Sequence, residues 1–181
     1  MSIVYRATDR LSGAPVALKV LRDVDGLDPE RFTREAQVLA ELSHPAIVRH
    51  IAHGSLAGRA WLAMEWLAGE DLDERLERSA LTVAESVAVV RRVCEALAAA
   101  HGRGVVHRDI KPPNVFLPGG DAARAQVLDF GIARTARGQR GLTRTGAVLG
   151  TPGYMAPEQL RGERDIDGRA DLFSEIGRAH V

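Results

Sequence analysis

One stretch, V-V-H-R-D-I-K-P-P-N-V-F-L from Val105 to Leu117, constrains this chain more than any other. It sets an acid (Asp109), a base (Lys111) and an amide (Asn114) between apolar Val105-Val106 and Val115 to Leu117, so a polar cluster held by two short buried strands is expected. Downstream, Val127-Leu128 runs into Asp129, Phe130 and Gly131, which places a second carboxylate at a strand end beside a flexible turn. Two acids and an amide in that setting suit a divalent cation with oxygen ligands, above all Mg²⁺ shared with phosphates. The competing reading is a hairpin whose charges face water; two such motifs in order weigh against it.

Upstream, a second pair of charges sits on faces that otherwise read as core. Ile3 to Tyr5 and Pro15 to Leu21 read as strands joined by a turn at Ser12-Gly13. Ala17, Lys19 and Leu21 share one face of the second strand by its period of two. Asp28-Pro29-Glu30 is a helix start, with Asp28 as cap. Along that helix Phe32, Ala36, Leu39 and Leu42 form the buried stripe, and Glu35 falls within it. A carboxylate there calls for a partner, and Lys19 is the candidate; the alternative is a Glu35 that reaches back to solvent.

Totals narrow the class. The chain has 181 residues, enough for one ordinary domain or a bilobal part of a larger one. Its formal charge of +0 gives no electrostatic footprint for nucleic acid or a membrane surface. No apolar run approaches the ~20 residues of a membrane-spanning helix, and no signal peptide is evident at the start. A single cysteine, Cys94, cannot form an internal disulfide, which points to the reducing cytoplasm; it reads as a packing residue.

Two more strands are expected near Ile47 to Ala52 and Ala60 to Trp66, the second running through Met64-Glu65-Trp66-Leu67-Ala68-Gly69 into a hinge between lobes. Thr82 and Glu85 form a capping box that opens a long helix. Its buried side is read as Val87, Val90, Cys94, Leu97 and His101, with Gly102 or Gly104 ending it. Asp129 to Glu158 has little periodicity, as suits a functional loop.

The ordered motifs H-R-D-I-K-P-P-N, D-F-G and G-T-P-G-Y-M-A-P-E (Gly150 to Glu158), with V-A-L-K around Lys19, resemble the eukaryotic-like (Hanks-type) serine/threonine protein kinases of bacteria. The resemblance implies an α+β, bilobal protein-kinase-like fold, with a small antiparallel-sheet lobe over residues 1–67 and an incomplete, mostly helical lobe over 68–174. Residues 175–181 change character and are expected to be a non-native tail. Truncation is expected at both ends: Ser2 falls at the last glycine of the phosphate-covering loop and Val4 at its valine, while the earlier glycines have no counterpart.

As implied by the resemblance, Asp109 orients the substrate hydroxyl and takes its proton, Lys111 steadies the transferring phosphoryl group, and Lys19, aimed by Glu35, meets the ATP phosphates. Asn114 and Asp129 would hold Mg²⁺. Val4, Ala17, Met64, Phe116 and the backbone of Glu65 and Leu67 would surround adenine, with Met64 as gatekeeper and Asp71 reaching the ribose. Leu39, Phe130, His107 and Asp171 would stack as a column, which makes His107 a packing residue rather than a base. Thr143 and Thr145 would be phosphorylated and paired by Arg108, and Thr151 would bond near Asp109. Glu158 would lack its usual arginine. The implied activity is transfer of the ATP γ-phosphoryl group to Ser/Thr hydroxyls of proteins, with the isolated chain expected to be poorly stable and weakly active or inactive, and parent-protein anchoring through a missing C-terminal part left open. A catalytically silent binding module and a small-molecule phosphotransferase of the same fold remain as rivals.

Overall fold

The computed structural model describes residues 2–21, 29–130, 152–163 and 165–178. Asp28, Gly131, Thr143, Thr145 and Thr151, named above, lie outside them.

Alternating β-branched residues and a Ser-Gly turn give the first hairpin, β1 (Ser2–Thr8) and β2 (Pro15–Leu21). Asp9 closes its turn by accepting from Leu11 N–H and the Ser12 hydroxyl. Helix α1 (Pro29–Ala40) follows, then β3 (His50–Leu56) and β4 (Arg59–Glu65). The four strands form one antiparallel sheet in the order β1-β2-β4-β3. Phe32, Ala36 and Leu42 are buried and Leu39 is half-buried, so the stripe read from the sequence is the face α1 presents to the core. Phe32 and Ala36 pack with Leu21, Ala60 and Leu62. The third strand begins later than expected: Ile47 makes only an isolated parallel bridge to Val127, because residues 46–48 bond to the other lobe instead of the sheet.

Beyond the connection at residues 66–68 lies a three-stranded sheet, β5 (Gly69–Asp71), β6 (Val115–Pro118) and β7 (Gln126–Val127), surrounded by helices. These are α2 (Leu72–Arg78), α3 (Val83–His101), the single-turn α4 (Pro157–Leu160) and α5 (Arg169–Arg178). Gly69 is required where the chain enters this lobe: its φ is +147°, and a Cβ would lie 2.2 Å from the Leu117 carbonyl oxygen.

Helix α3 corrects one expectation. Its capping box forms as read, with Glu85 N–H donating to Thr82 Oγ1 (3.2 Å) and Thr82 N–H to Glu85 Oε2 (2.7 Å). Its buried side, however, is Val89, Val93, Ala96, Leu97 and Ala100, while Val87, Val90 and Cys94 are exposed and His101 is half-buried. Valine and alanine occur all round this helix, so hydropathy alone leaves its phase open. Small Ala96 and Ala100 take the close-packed positions. A second correction concerns Val105-Val106, which form no strand and are half-buried; the polar cluster is held between an irregular segment and β6.

The larger core joins α3 to Ile110, Val115, Leu117 and Val127, and half-buried Leu39 packs against both cores. Helix α5 continues past Ser174, and Glu175 is buried within it.

Candidate active site

The two lobes meet at a cleft of about 360 Å³. Its apolar walls come from Leu21, Leu62 and Met64 of the first sheet, Ile47 and Val48 of the connecting segment, and Leu39 and Phe130 at the back. Lys19, Asp109, Lys111, Asn114 and Asp129 line it with charge and amide. Lys19 and Leu21 both face it, as their shared period predicts; the cross-strand partner of Lys19 is Leu62.

Lys19 Nζ lies 2.5 Å from Asp129 Oδ2, a pair whose side chains are 14% and 27% exposed. This contact spans the cleft from the small sheet to the residue after β7 and Leu128. Asp129 has a φ of +53° and Arg108 one of +65°, a region that costs a non-glycine residue about 1 to 3 kcal/mol unless surrounding bonds impose it. Around Arg108 those bonds are visible. His107 N–H donates to Asp171 Oδ2 (2.8 Å) and Arg108 N–H to Asp171 Oδ1 (2.7 Å), while Asp109 N–H donates to His107 Nδ1 (3.2 Å).

His107 is fully buried. Its ring packs on Phe130 with centroids 4.7 Å apart, and its Nε2 donates to the Leu128 carbonyl (2.7 Å). Because Asp109 N–H can only donate and a carbonyl can only accept, the neutral tautomer protonated at Nε2 is the one that satisfies both. Burial holds this imidazole below its ordinary pKa, outweighing the opposing fields of Asp171, Asp109 and Asp129. With both nitrogens committed to the main chain, His107 is no general base. It ties Leu128, next to Asp129, to the amide of Asp109.

Asp109 itself is flanked by Lys111 Nζ at 3.0 Å from Oδ2 and by Asn114, whose Nδ2 donates to Asp109 O (2.7 Å) and Oδ2 (3.1 Å). The 3₁₀ turn at Pro112–Asn114 feeds directly into β6, and Leu128 N–H donates to Asn114 O (2.9 Å), so the two motifs are one hydrogen-bonded unit. Asn114 Nδ2 is spent on Asp109, so its amide oxygen is the atom that could ligate a cation, alongside the Asp129 carboxylate. Among the described residues no three His, Cys, Asp or Glu side chains gather as a metal site. Two protein oxygens fit Mg²⁺, which keeps waters and takes its remaining ligands from phosphates.

Of the other expected pocket residues Ser2 and Met64 line the cleft, whereas Val4, Ala17, Glu65, Leu67, Asp71 and Phe116 are not among the residues that line it. Met64 lines the cleft opposite Ala17 and His50 in register. Ser2 lines it from β1, and Val4 stands across from Lys19. Glu65 N–H donates to Arg49 O (3.0 Å), and its carboxylate accepts from Arg49 N–H (2.8 Å). Asp71 caps α2, accepting from Glu74 N–H at 2.9 Å, and its neighbour across the sheet is Phe116. Glu35 is half-buried on α1, and Leu67 lies in the connection between lobes. Among the lining residues to which the sequence reading gave no place at the site are His50 and Val48. Neither belongs to a motif, and strand alternation breaks at the register shift between His50 and Ala52.

The sequence model of the protein kinase domain matches residues 1–177. Serine/threonine-protein kinase PknJ of Mycobacterium tuberculosis is 46% identical over 96% of this chain, and Pkn1 of Myxococcus xanthus 42% identical over 96%. Among solved structures, the Mycobacterium tuberculosis PknI kinase domain superposes with a TM-score of 0.75 at 35% identity, covering 95% of this chain. Rad53, solved in complex with AMP-PNP, gives 0.75 at 28% identity over 96% of this chain. The chain belongs to the protein kinase domain family. Its relatives at this level are bacterial serine/threonine kinases of the Hanks type, and its fold is that of a partial bilobal kinase. The chain spans 30% and 26% of PknJ and Pkn1, 64% of the PknI kinase domain and 42% of the Rad53 chain.

Proposed function

We propose that this chain belongs to a protein that transfers the γ-phosphoryl group of ATP, with Mg²⁺, to Ser or Thr hydroxyls of proteins. The observation that carries this is the convergence of Lys19–Asp129 and Lys111–Asp109–Asn114 on one cleft, each group in contact with its neighbour. AMP-PNP in the related Rad53 structure supports a nucleotide here. Names of the bacterial relatives support Ser/Thr acceptors.

Catalysis in this reading is positioning and charge stabilisation. Asp109 accepts the proton of the attacking hydroxyl, and its carboxylate is aimed by Asn114 Nδ2. Lys111, 3.0 Å from that carboxylate, neutralises charge on the group in transit. Lys19 would meet the phosphate oxygens of a bound nucleotide with Glu35 as its partner on α1, and Asp129 and Asn114 would be the residues to hold Mg²⁺. When bound, Mg²⁺ supplies charge neutralisation between the phosphates. Ala17, Met64, Val4, Leu67, Phe116 and the Glu65 carbonyl enclose the base, and Asp71 reaches the ribose. Residues 1–67 and 68–174 act as the two lobes, and helix α5 carries the second past Ser174. Thr143 and Thr145 are autophosphorylation sites that Arg108 pairs. No described helix is long and apolar enough to cross a membrane. The lone cysteine is the feature that favours a cytoplasmic kinase domain, whether or not the parent is anchored.

Radiolabelled ATP with a generic protein acceptor tests the assignment. Asp109→Ala and Asp129→Ala should each abolish transfer, while an aminoglycoside should accept nothing. Label on the aminoglycoside alone would make this a small-molecule phosphotransferase, and nucleotide binding without any transfer would make it a binding module.

A further inference from the structure

We infer that Gln159 is a positioning residue that couples the segment after the substrate-facing turn to the loop carrying Asp109. Its side-chain amide has two ends and both are used. Oε1 accepts from Ala156 N–H (3.0 Å), closing the first turn of α4, and Nε2 donates to the Arg108 carbonyl (2.9 Å). The partners fix the orientation, since a main-chain N–H can only donate and a carbonyl only accept. Arg108 is one of three non-glycine residues described at positive φ, and its peptide directly precedes the carboxylate that receives the proton. Asp171 holds that strained peptide from its N–H side, and Gln159 holds it from the carbonyl side.

Gln159 does not line the cleft, so it acts on Asp109 through the main chain and leaves the nucleotide alone. Seating of the 152–160 segment, against which a protein acceptor would lie, is thereby read at the catalytic loop. The kinetic part of this inference rests on the kinase reading; the link itself does not.

Gln159→Glu separates the two ends. It keeps the oxygen that caps α4 and replaces the N–H facing Arg108 with an oxygen, which repels the carbonyl. Amide exchange at Arg108 and Asp109 should rise about 10-fold or more with the unfolding midpoint within a degree or two of wild type, because one constraint on a strained peptide is gone. Transfer to protein should fall about 10- to 100-fold in kcat with KM for ATP unchanged, as expected when a reacting group is misplaced and nucleotide contacts are intact. Gln159→Met, which loses both ends, should loosen the same amides and those of 156–160 as well. Exchange at Arg108 and Asp109 equal to wild type in both variants overturns the link, and unchanged kcat with raised exchange overturns its positioning role. A full-length parent that transfers nothing counts against the kinase reading, and the exchange comparison on this chain then decides the link.

Discussion

Burial keeps His107 neutral, and neutrality is what lets one ring serve Leu128 and Asp109 at once. His50 is likewise held below its ordinary value of 6.5, first by burial and then by the nearby His53 ring. Both shifts have the same consequence for stability. Below about pH 6.5 the unfolded chain takes up protons on these rings while the folded chain resists, so the unfolded state binds more protons and stability falls as pH falls towards the depressed folded values. The urea midpoint should therefore be lower at pH 5.5 than at pH 7.5, and His50→Gln should reduce that difference. A variant with the full wild-type difference would show that His50 is not held neutral. At this scale the sequence is most transparent where a motif fixes placement, as for the gathering of Asp109, Asn114 and Asp129 at the cleft and the packing of His107 on Phe130. It is silent on Gln159, whose partners lie 3 and 51 residues away and which no periodicity marks.

Elements were legible wherever a local rule chose between faces, and α1 and α3 show the difference. Arg34 and Gln37 break the apolar run of α1, so one stripe remains and the structure buries it. On α3 apolar residues surround the axis, and the phase is set by which side chains are small enough for the neighbours to approach. The outward Val87 and inward Leu97 make opposite predictions. Leu97→Ala should cost about 2 to 5 kcal/mol through lost burial and a cavity. Val87→Thr should lie within about 0.5 kcal/mol of wild type, being a change on an exposed face. Urea unfolding of the two variants checks both, and a larger loss for Val87→Thr would contradict the observed phase. The late start of the third strand has a similar origin: Ile47 and Val48 have strand character, and that character is used in a bridge to the other lobe.

At the scale of the molecule the lobes are joined by more than the chain at residues 66–68. Val127 N–H donates to Ala46 O (2.8 Å) and Val48 N–H to Val127 O (3.0 Å), so the segment leaving α1 lies alongside β7, two residues from Asp129. Arg92 of α3 holds both sides of this junction. Its guanidinium donates to the carbonyl of Pro45, to that of Ala125 (3.3 Å) and to Glu95 Oε2 (3.1 Å). Its side chain is 14% exposed, against 67% for adjacent Arg91, so the two arginines offer a matched test. Arg92→Met keeps the aliphatic stem but leaves two carbonyls without their donor, at about 1 to 3 kcal/mol for each that stays buried. Arg91→Met removes an exposed pair with Glu95 worth at most about 0.5 kcal/mol. Hydrogen exchange at Val48 and Val127 should accelerate in Arg92→Met and stay at the wild-type rate in Arg91→Met, with urea midpoints following the same order. Equal exchange in the two variants would mean that the junction holds without Arg92, and that the spacing of Lys19 and Asp129 across the cleft depends on the lobe-connecting chain alone.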